Sequence, residues 1–364
     1  MPAVAVRRVL SRRRLGWIAV LTACVALTVH FWPSVDLLGH HDDVVSAVAV
    51  GQVDGRPVAV TGGGGGENGD GTVRVWDLTT RQPIGEPMTG HPEGVRAVAV
   101  GEVNGRPVAV TGGYDGMVRV WDLATRKLIG EPMVANRTGS VSAVAVEQVN
   151  GRPVAVTGGD WGDATHKVPV RVWDLVTRRP IGEPMTGHTN FVVAVAVGEV
   201  SGRPVAVTGD VDGTVRVWDL VTRRPTGEPM TSHTRVWGVA VGRVDGRPVA
   251  VTGGEDENIR VWDLTTYKLI GEPVPTGHTY GFSAVAVEQV NGRPVAVTGG
   301  GGGPDVDGTV RVWDLVTRQP IGEPMEYTNS VFAVAIGRVN GRPVVVTGDG
   351  DGAVWMRDLS AYTR

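Results

Sequence analysis

Asp70-Gly71-Thr72-Val73-Arg74-Val75-Trp76-Asp77-Leu78 is the stretch whose reading decides the fold. Asp-Gly is a tight-turn signal, and Val-Arg-Val-Trp alternates with period two, so the stretch reads as a turn feeding a half-buried strand. Versions of it end at Trp121, Trp173, Trp218, Trp262 and Trp313, and a worn copy runs from Asp351 to Leu359 with Arg357 at the Trp position. From Trp76 to Arg357 the steps are 45, 52, 45, 44, 51 and 44 residues. Seven copies of one supersecondary unit, each too small to bury its own faces, call for an array.

Working outward, each unit reads alike. In the first, Val44–Val50 is an apolar strand, Asp54-Gly55 a hairpin turn, Pro57–Thr61 a second strand, and the Trp-Asp strand the third. Thr80-Arg81-Gln82 turns into a fourth strand, Ile84–Met88, ending at Gly90-His91. The hairpin pair recurs as Asn104-Gly105, Asn150-Gly151, Ser201-Gly202, Asp245-Gly246, Asn291-Gly292 and Asn340-Gly341, the chemistry a primed turn requires. With Gly-His, Asp-Gly and Trp-Asp recurring in order over residues 34–360, the chain resembles the WD-repeat (WD40) family. The Arg excess over Lys, 32 to 3, suggests GC-rich, bacterial coding. The expected fold is all-β: a seven-bladed propeller of four-stranded antiparallel blades, with one N-terminal transmembrane helix.

The resemblance implies a structural tetrad of Trp, Ser/Thr, His and Asp tying together the strands of a blade. It maps to Trp76, Thr61, His41 and Asp70, and to Trp121, Thr111, His91 and Asp115. Three further sets are Trp218, Thr208, His188 and Asp212; Trp262, Thr252, His233 and Asp256; and Trp313, Thr298, His278 and Asp307. Two blades depart. The third has Asn136-Arg137 where His is expected, and the seventh has Tyr327 for His and Arg357 for Trp, which makes these the expected weak blades.

At the amino terminus, residues 1–14 are basic and residues 15–32 form an uncharged, mostly apolar run. Eighteen helical residues span about 27 Å, close to the hydrocarbon core of a bilayer. Arginines ahead of the run keep that end cytoplasmic. The expectation is a single-pass signal anchor in the cell membrane with the propeller, residues 33–364, outside the cytoplasm. A cleaved secretory signal and a lipid anchor at Cys24 are the alternatives. Five arginines in the first 32 residues, set against a net charge of −3 for the whole chain, leave −8 for the rest. So acidic a domain excludes general nucleic-acid binding. The lone Cys24 excludes an intrachain disulfide and a Cys-based zinc site.

The last unit stops just past its third strand, while a spare strand-like piece, 34–38, precedes the first. Pairing of 34–38 with the last blade is the expected ring closure. In such a meander the connections leading into each first strand share one face, the top, with those between the second and third strands. The Gly-Arg-Pro and Thr-Arg turns share the bottom. The first strand-like piece, running bottom to top, would set the Arg-bearing bottom against lipid. The repeats differ mainly at the top, where Tyr114, Trp161, Phe191, Trp237, Tyr280, Phe282 and Phe332 gather as candidate protein-binding residues. Phe191, Phe282 and Phe332 also fit plain packing between blades.

No catalytic, cofactor or metal set stands out. Gly62–Gly66 and Gly299–Gly303 lack the Lys-Ser/Thr of a phosphate loop and lead into strands. The Asp-x-Asp-Gly runs at Asp210, Asp305 and Asp349 lack the further ligands of a calcium loop. A monomeric, non-catalytic scaffold for protein partners, without cofactor, is the expected function. The rivals are a glycan- or wall-binding module and an enzyme with its site in the central channel.

Overall fold

Every first-to-second-strand hairpin turns through two residues in the left-handed region: φ is 50° at Asp54 and 73° at Gly55, and 51° at Ser201 and 76° at Gly202. That is the twist of a primed turn, which lets strands a and b pair without splaying. In the computed structural model, which describes residues 35–64, 69–159, 170–231, 234–278, 282–301 and 308–362, strand a of the first blade is Val45–Val53 and strand b is Arg56–Gly63. Their ladder runs from Val53 opposite Arg56 up to Val45 opposite Gly63, with one irregularity between Val45 and Ala47. Strand c is Thr72–Asp77.

The Asp of each Trp-Asp pair makes the next turn. Asp77 Oδ1 accepts the amides of Thr79 and Thr80 at 2.8 and 2.9 Å, and Asp174, Asp219, Asp263 and Asp314 repeat the pattern. Strand d differs from the continuous Ile84–Met88 expected. It consists of two pieces, Gln82–Pro83 and Met88–Thr89, both paired with strand c. Gly85, at φ 66°, and Pro87, which has no N–H to donate, loop out between them.

Seven such antiparallel sheets follow one another, each with strand a innermost. The inner strands neighbour one another in a closed cycle, the last (Val331–Val339) lying beside the first. Val35–His40 forms the outer strand of the seventh sheet, pairing with Ala353–Asp358 from Val35 opposite Arg357 to His40 opposite Ala353. It begins one residue later and ends two residues further on than 34–38. The segments 1–14 and 15–32 lie outside the described residues. Among the described residues no helix is long and apolar enough to cross a membrane.

The core is divided among the seams. Trp121 and Leu123 of the second blade pack against Val58, Val60, Val73 and Val75 of the first. Trp76 and Leu78 pack against Val344, Val346 and Met356 of the seventh, with Leu38 from the closing strand. Burying such aliphatic side chains contributes about 1.5–3 kcal/mol each. At the outer rim a second contact repeats. Arg126 lies against Gly85 of the preceding blade, and Arg178 against Gly130, Arg223 against Gly182 and Arg318 against Gly271. Tyr267 does the same at Gly227 and Tyr362 at Gly322, while Arg81 of the first blade pairs at 3.0 Å with Asp36 of the closing strand. These rim arginines hold φ near 60°, strain that the contact with the next blade offsets.

Because the first residue of each hairpin pair also sits at positive φ, Ser201 is the poorest of the seven first positions. Ser201→Asn should raise stability by about 0.5 kcal/mol, and Asn104→Ala should lower it by about 1 kcal/mol. Chemical denaturation of the two variants beside the wild type measures both.

Candidate functional site

The buried polar groups of a blade form one directed chain of hydrogen bonds. Trp76 Nε1–H donates to Thr61 Oγ1 at 2.8 Å, and that hydroxyl lies 2.7 Å from His41 Nε2. His41 Nδ1 is 2.8 Å from Asp70 Oδ2. The hydroxyl already accepts from the indole, so it donates to Nε2, which fixes the Nδ1–H tautomer and sends the last proton to the carboxylate. Each link joins a different part of the blade: Trp on c, Thr on b, His and Asp on the two top connections. The second blade has the same first links, Trp121 to Thr111 at 2.9 Å and Thr111 to His91 at 2.7 Å, but its His91 Nδ1 lies 3.2 Å from Asp115 Oδ1 and 2.8 Å from Arg119 Nη1, a group that can only donate.

In the fourth blade the acid is Asp210 and not Asp212. Trp218 donates to Thr208 at 2.8 Å, His188 Nε2 is 2.6 Å from Thr208, and His188 Nδ1 is 2.6 Å from Asp210 Oδ2. Asp212 instead accepts from Thr189 Oγ1 and Asn190 Nδ2 at the surface. The reason is steric. In the first blade the strand-b position equivalent to Asp210 is Gly63, where an added Cβ would crowd both His41 Nδ1 and Asp70. A side chain emerging there therefore reaches the imidazole by a shorter route than one from the turn.

The remaining blades vary. In the third, Trp173 donates to Thr157 at 3.0 Å, and Asn136 accepts the Thr138 amide. In the fifth, Trp262 donates to Thr252 at 2.9 Å and Arg260 pairs with Asp256 at 2.5 Å; His233 lies outside the described residues. In the sixth, Trp313 donates to Thr298 and His278 Nε2 is 2.9 Å from the same hydroxyl. There His278 Nδ1 meets Thr309 Oγ1 at 2.9 Å, and Asp307 lies outside the described residues.

The seventh blade exchanges two positions. Trp355 occupies the place of Arg74, opposite Thr347, and donates Nε1–H to Asp349 at 2.8 Å. Arg357, at the Trp place, stacks 4.6 Å from the Tyr327 ring and donates to the Glu326 carbonyl at 2.7 Å. Burial pushes the Tyr327 phenol up, so it stays neutral.

Two kinds of residue escaped the sequence reading. One is the acid two positions past Thr, Asp210 and Asp349; the signal was Thr-Gly-Asp where other units have Thr-Gly-Gly. The other is the Arg two before Trp. Arg119 donates to Asp115 Oδ2 at 2.6 Å while nearly buried, so the network holds a charge pair beside the imidazole. Burial lowers the His91 pKa from its ordinary 6.5, against the raising effect of Asp115. Burial would raise Asp70 and Asp115, but the hydrogen bonds from His41 and Thr72, and from His91 and Arg119, hold both below the usual carboxylate range.

The candidate binding aromatics are less exposed than the sequence suggests. Tyr114 is half-buried with the Arg96 guanidinium 5.2 Å from its ring, and Trp237 is half-buried with Arg235 at 6.0 Å. Phe191 is half-buried against the seam of the third and fourth blades, and Phe332 is half-buried. Trp161 and Tyr280 lie outside the described residues, as does the side chain of Phe282, whose backbone begins a strand.

Thr111→Val would leave Trp121 Nε1–H and His91 Nε2 unpaired in the interior. It should cost about 2–4 kcal/mol, read as a fall in melting temperature. Acidification should act on the same blade. A lowered His91 pKa contributes stability that is full above about pH 6.5 and lost as pH falls, and lowered Asp115 adds a loss at still lower pH. Between pH 7.5 and 4.5 the melting temperature should therefore fall, and His91→Gln should shallow that slope.

The model of the WD domain, G-beta repeat family matches residues 31–77, 81–122, 179–219 and 225–263. Each match begins on or just before the outer strand of one blade and ends at strand c of the next, so the sequence repeat is offset from the blade by one strand. Among curated proteins none matches the chain. Four matched repeats within seven blades of common register make this chain a member of the WD-repeat β-propeller family.

Proposed function

We propose that this propeller is a membrane-anchored, extracytoplasmic platform that binds protein partners through its top face without catalysis. WD-repeat propellers commonly serve as protein-interaction scaffolds. The observation that carries the reading here is the pair of Arg-stacked aromatics at the top, Arg96–Tyr114 and Arg235–Trp237, in which Tyr114 and Arg235 lie on the connections and Arg96 and Trp237 at the start of strand a. Stacking fixes these long side chains before a partner arrives, which lowers the ordering cost of binding. Tyr, Trp and Arg are the residue types that dominate interface energetics.

Around them the top connections carry Asp42, Glu93, Asp212, Glu255, Glu257 and Asp351, so a partner with a basic contact surface is favoured. The repeat histidines His41, His91, His188 and His278 are buried and hydrogen-bonded within their blades, which supports a structural use for them. Membrane placement rests on the apolar run 15–32 behind its arginines.

Crosslinking in the native cells, followed by capture, should retrieve a protein partner. Tyr114→Ala and Trp237→Ala should each weaken that capture by roughly thirtyfold while circular dichroism is unchanged. Equal capture by wild type and both variants would move the interface off the top face. Retention of polysaccharide in place of protein would favour the glycan-binding alternative.

A further inference from the structure

The bottom face carries many cations, and part of them serve the fold. Arg152, Arg203 and Arg293, from the Gly-Arg-Pro turns, pair with Asp174, Asp219 and Asp314 at 3.1, 2.6 and 3.2 Å. Arg126, Arg178, Arg223 and Arg318 lie against the glycines of the preceding blades. Arg56, Arg106, Arg247 and Arg342, from the other Gly-Arg-Pro turns, are exposed without an ion-pair or hydrogen-bond partner among the described residues, and the outer strands carry a second such set. The first residue of strand d is Lys127, Arg179, Arg224 and Lys268 in blades two to five, and Gln82 and Gln319 in blades one and six. All four cations are exposed and have no ion-pair or hydrogen-bond partner among the described residues. They stand at the lower end of successive blades, so on the outer strands the free charge covers one continuous arc of the rim.

Aliphatic side chains accompany that arc. Val176 and Val221 stand at the tips of the c–d turns of blades three and four, 43% and 39% exposed, Leu128 beside Lys127 is 39% exposed, and Val316 at the same turn of blade six, past the end of the arc, is 49% exposed. Free cations interleaved with exposed aliphatics on one rim are a costly pattern for a surface meant only for water. They match an interface where headgroup phosphates lie beside the upper acyl region. A nucleic acid would be poorly served, since the arc has no groove and no aromatic platform for a base. Glu131, Glu183, Glu228 and Glu272 lie four residues past the cations, higher on the outer edge of the same blades.

We propose that the lower rim of blades two to five is a contact surface for an anionic bilayer, with Lys127, Arg179, Arg224 and Lys268 meeting lipid phosphates and Val176 and Val221 entering the interfacial layer. Val35, the first residue of the closing strand, also lies at the lower edge. The proposal shares with the proposed function the placement beside a membrane, and adds which face meets it and by what chemistry. Each cation near an anionic surface contributes roughly fivefold in affinity, and about 0.5 M salt screens most of it.

The test uses the full chain with Cys24→Ser, reconstituted in phosphatidylcholine vesicles with or without about 30% phosphatidylglycerol, a range in which surface potential is substantial. An environment-sensitive dye is attached through Val221→Cys on the lower rim or Glu93→Cys on the top. Emission from the Val221 site should shift to the blue with phosphatidylglycerol only and return with high salt. The shift should vanish when Lys127, Arg179, Arg224 and Lys268 are all changed to Glu, with near-ultraviolet circular dichroism unchanged. The Glu93 site should not respond. Equal emission from the Val221 site in both vesicle types, an equal response at the Glu93 site, or a shift that survives charge reversal would each overturn the proposal. Co-flotation with neutral vesicles reads the apolar segment alone, so loss of anchoring and loss of the rim contact are distinguishable.

Discussion

Closure of the ring is the constraint on which the rest of the structure depends. A four-stranded blade has two faces to cover and no helix to cover them, so each face must be buried against another blade. That works for all seven only if the last blade meets the first. The covalent chain achieves it by lending Val35–His40 to the seventh sheet, where Leu38 packs into the same seam as Trp76 and Met356. Asp36 on that strand also receives Arg81 of the first blade, which continues around the join the rim contact made elsewhere by an arginine or tyrosine over glycine. The seam is thus closed by backbone pairing, apolar burial and a charge pair at once.

Inside the blades the requirement is an acceptor for a particular proton, not a residue at a particular place. The hydroxyl of Thr61, Thr111 or Thr208 relays a hydrogen bond from indole to imidazole, and the imidazole must then find a carboxylate. Asp70 and Asp115 supply it from the turn; Asp210 supplies it from strand b. The seventh blade dispenses with the imidazole and lets Trp355 donate to Asp349 directly. A buried donor without a partner costs about 1–3 kcal/mol, enough to retain some solution in every blade and too little to dictate which one.

The two faces use arginine differently. Below, most guanidiniums hold turns and adjacent blades together, through Asp174, Asp219 and Asp314 or by lying over glycine. Above, Arg96 and Arg235 stack on Tyr114 and Trp237 and leave those rings only half-buried. Counting basic residues in the repeat therefore overstates the charge that the bottom presents to a partner, and counting aromatics overstates the exposed ring area at the top.

The sequence by itself determined the blade count, the strand order and the hairpins. These follow from local chemistry: Asx-Gly pairs accept positive φ, Val-Arg-Val-Trp alternates with the pleat, and Asp after Trp holds the next turn through its own backbone neighbours. It also made the closing strand legible, because a blade one strand short at one end and a spare strand at the other admit one economical pairing. Sequence was silent on contacts between residues far apart with no fixed spacing. Whether His188 meets Asp210 or Asp212 depends on which carboxylate fits the space that Gly63 leaves in the first blade. Whether Arg178 is free or laid over Gly130 depends on how closely two blades approach. Those choices are made by packing across the seams, where distance in space and distance along the chain part company, and only the tertiary structure decided them.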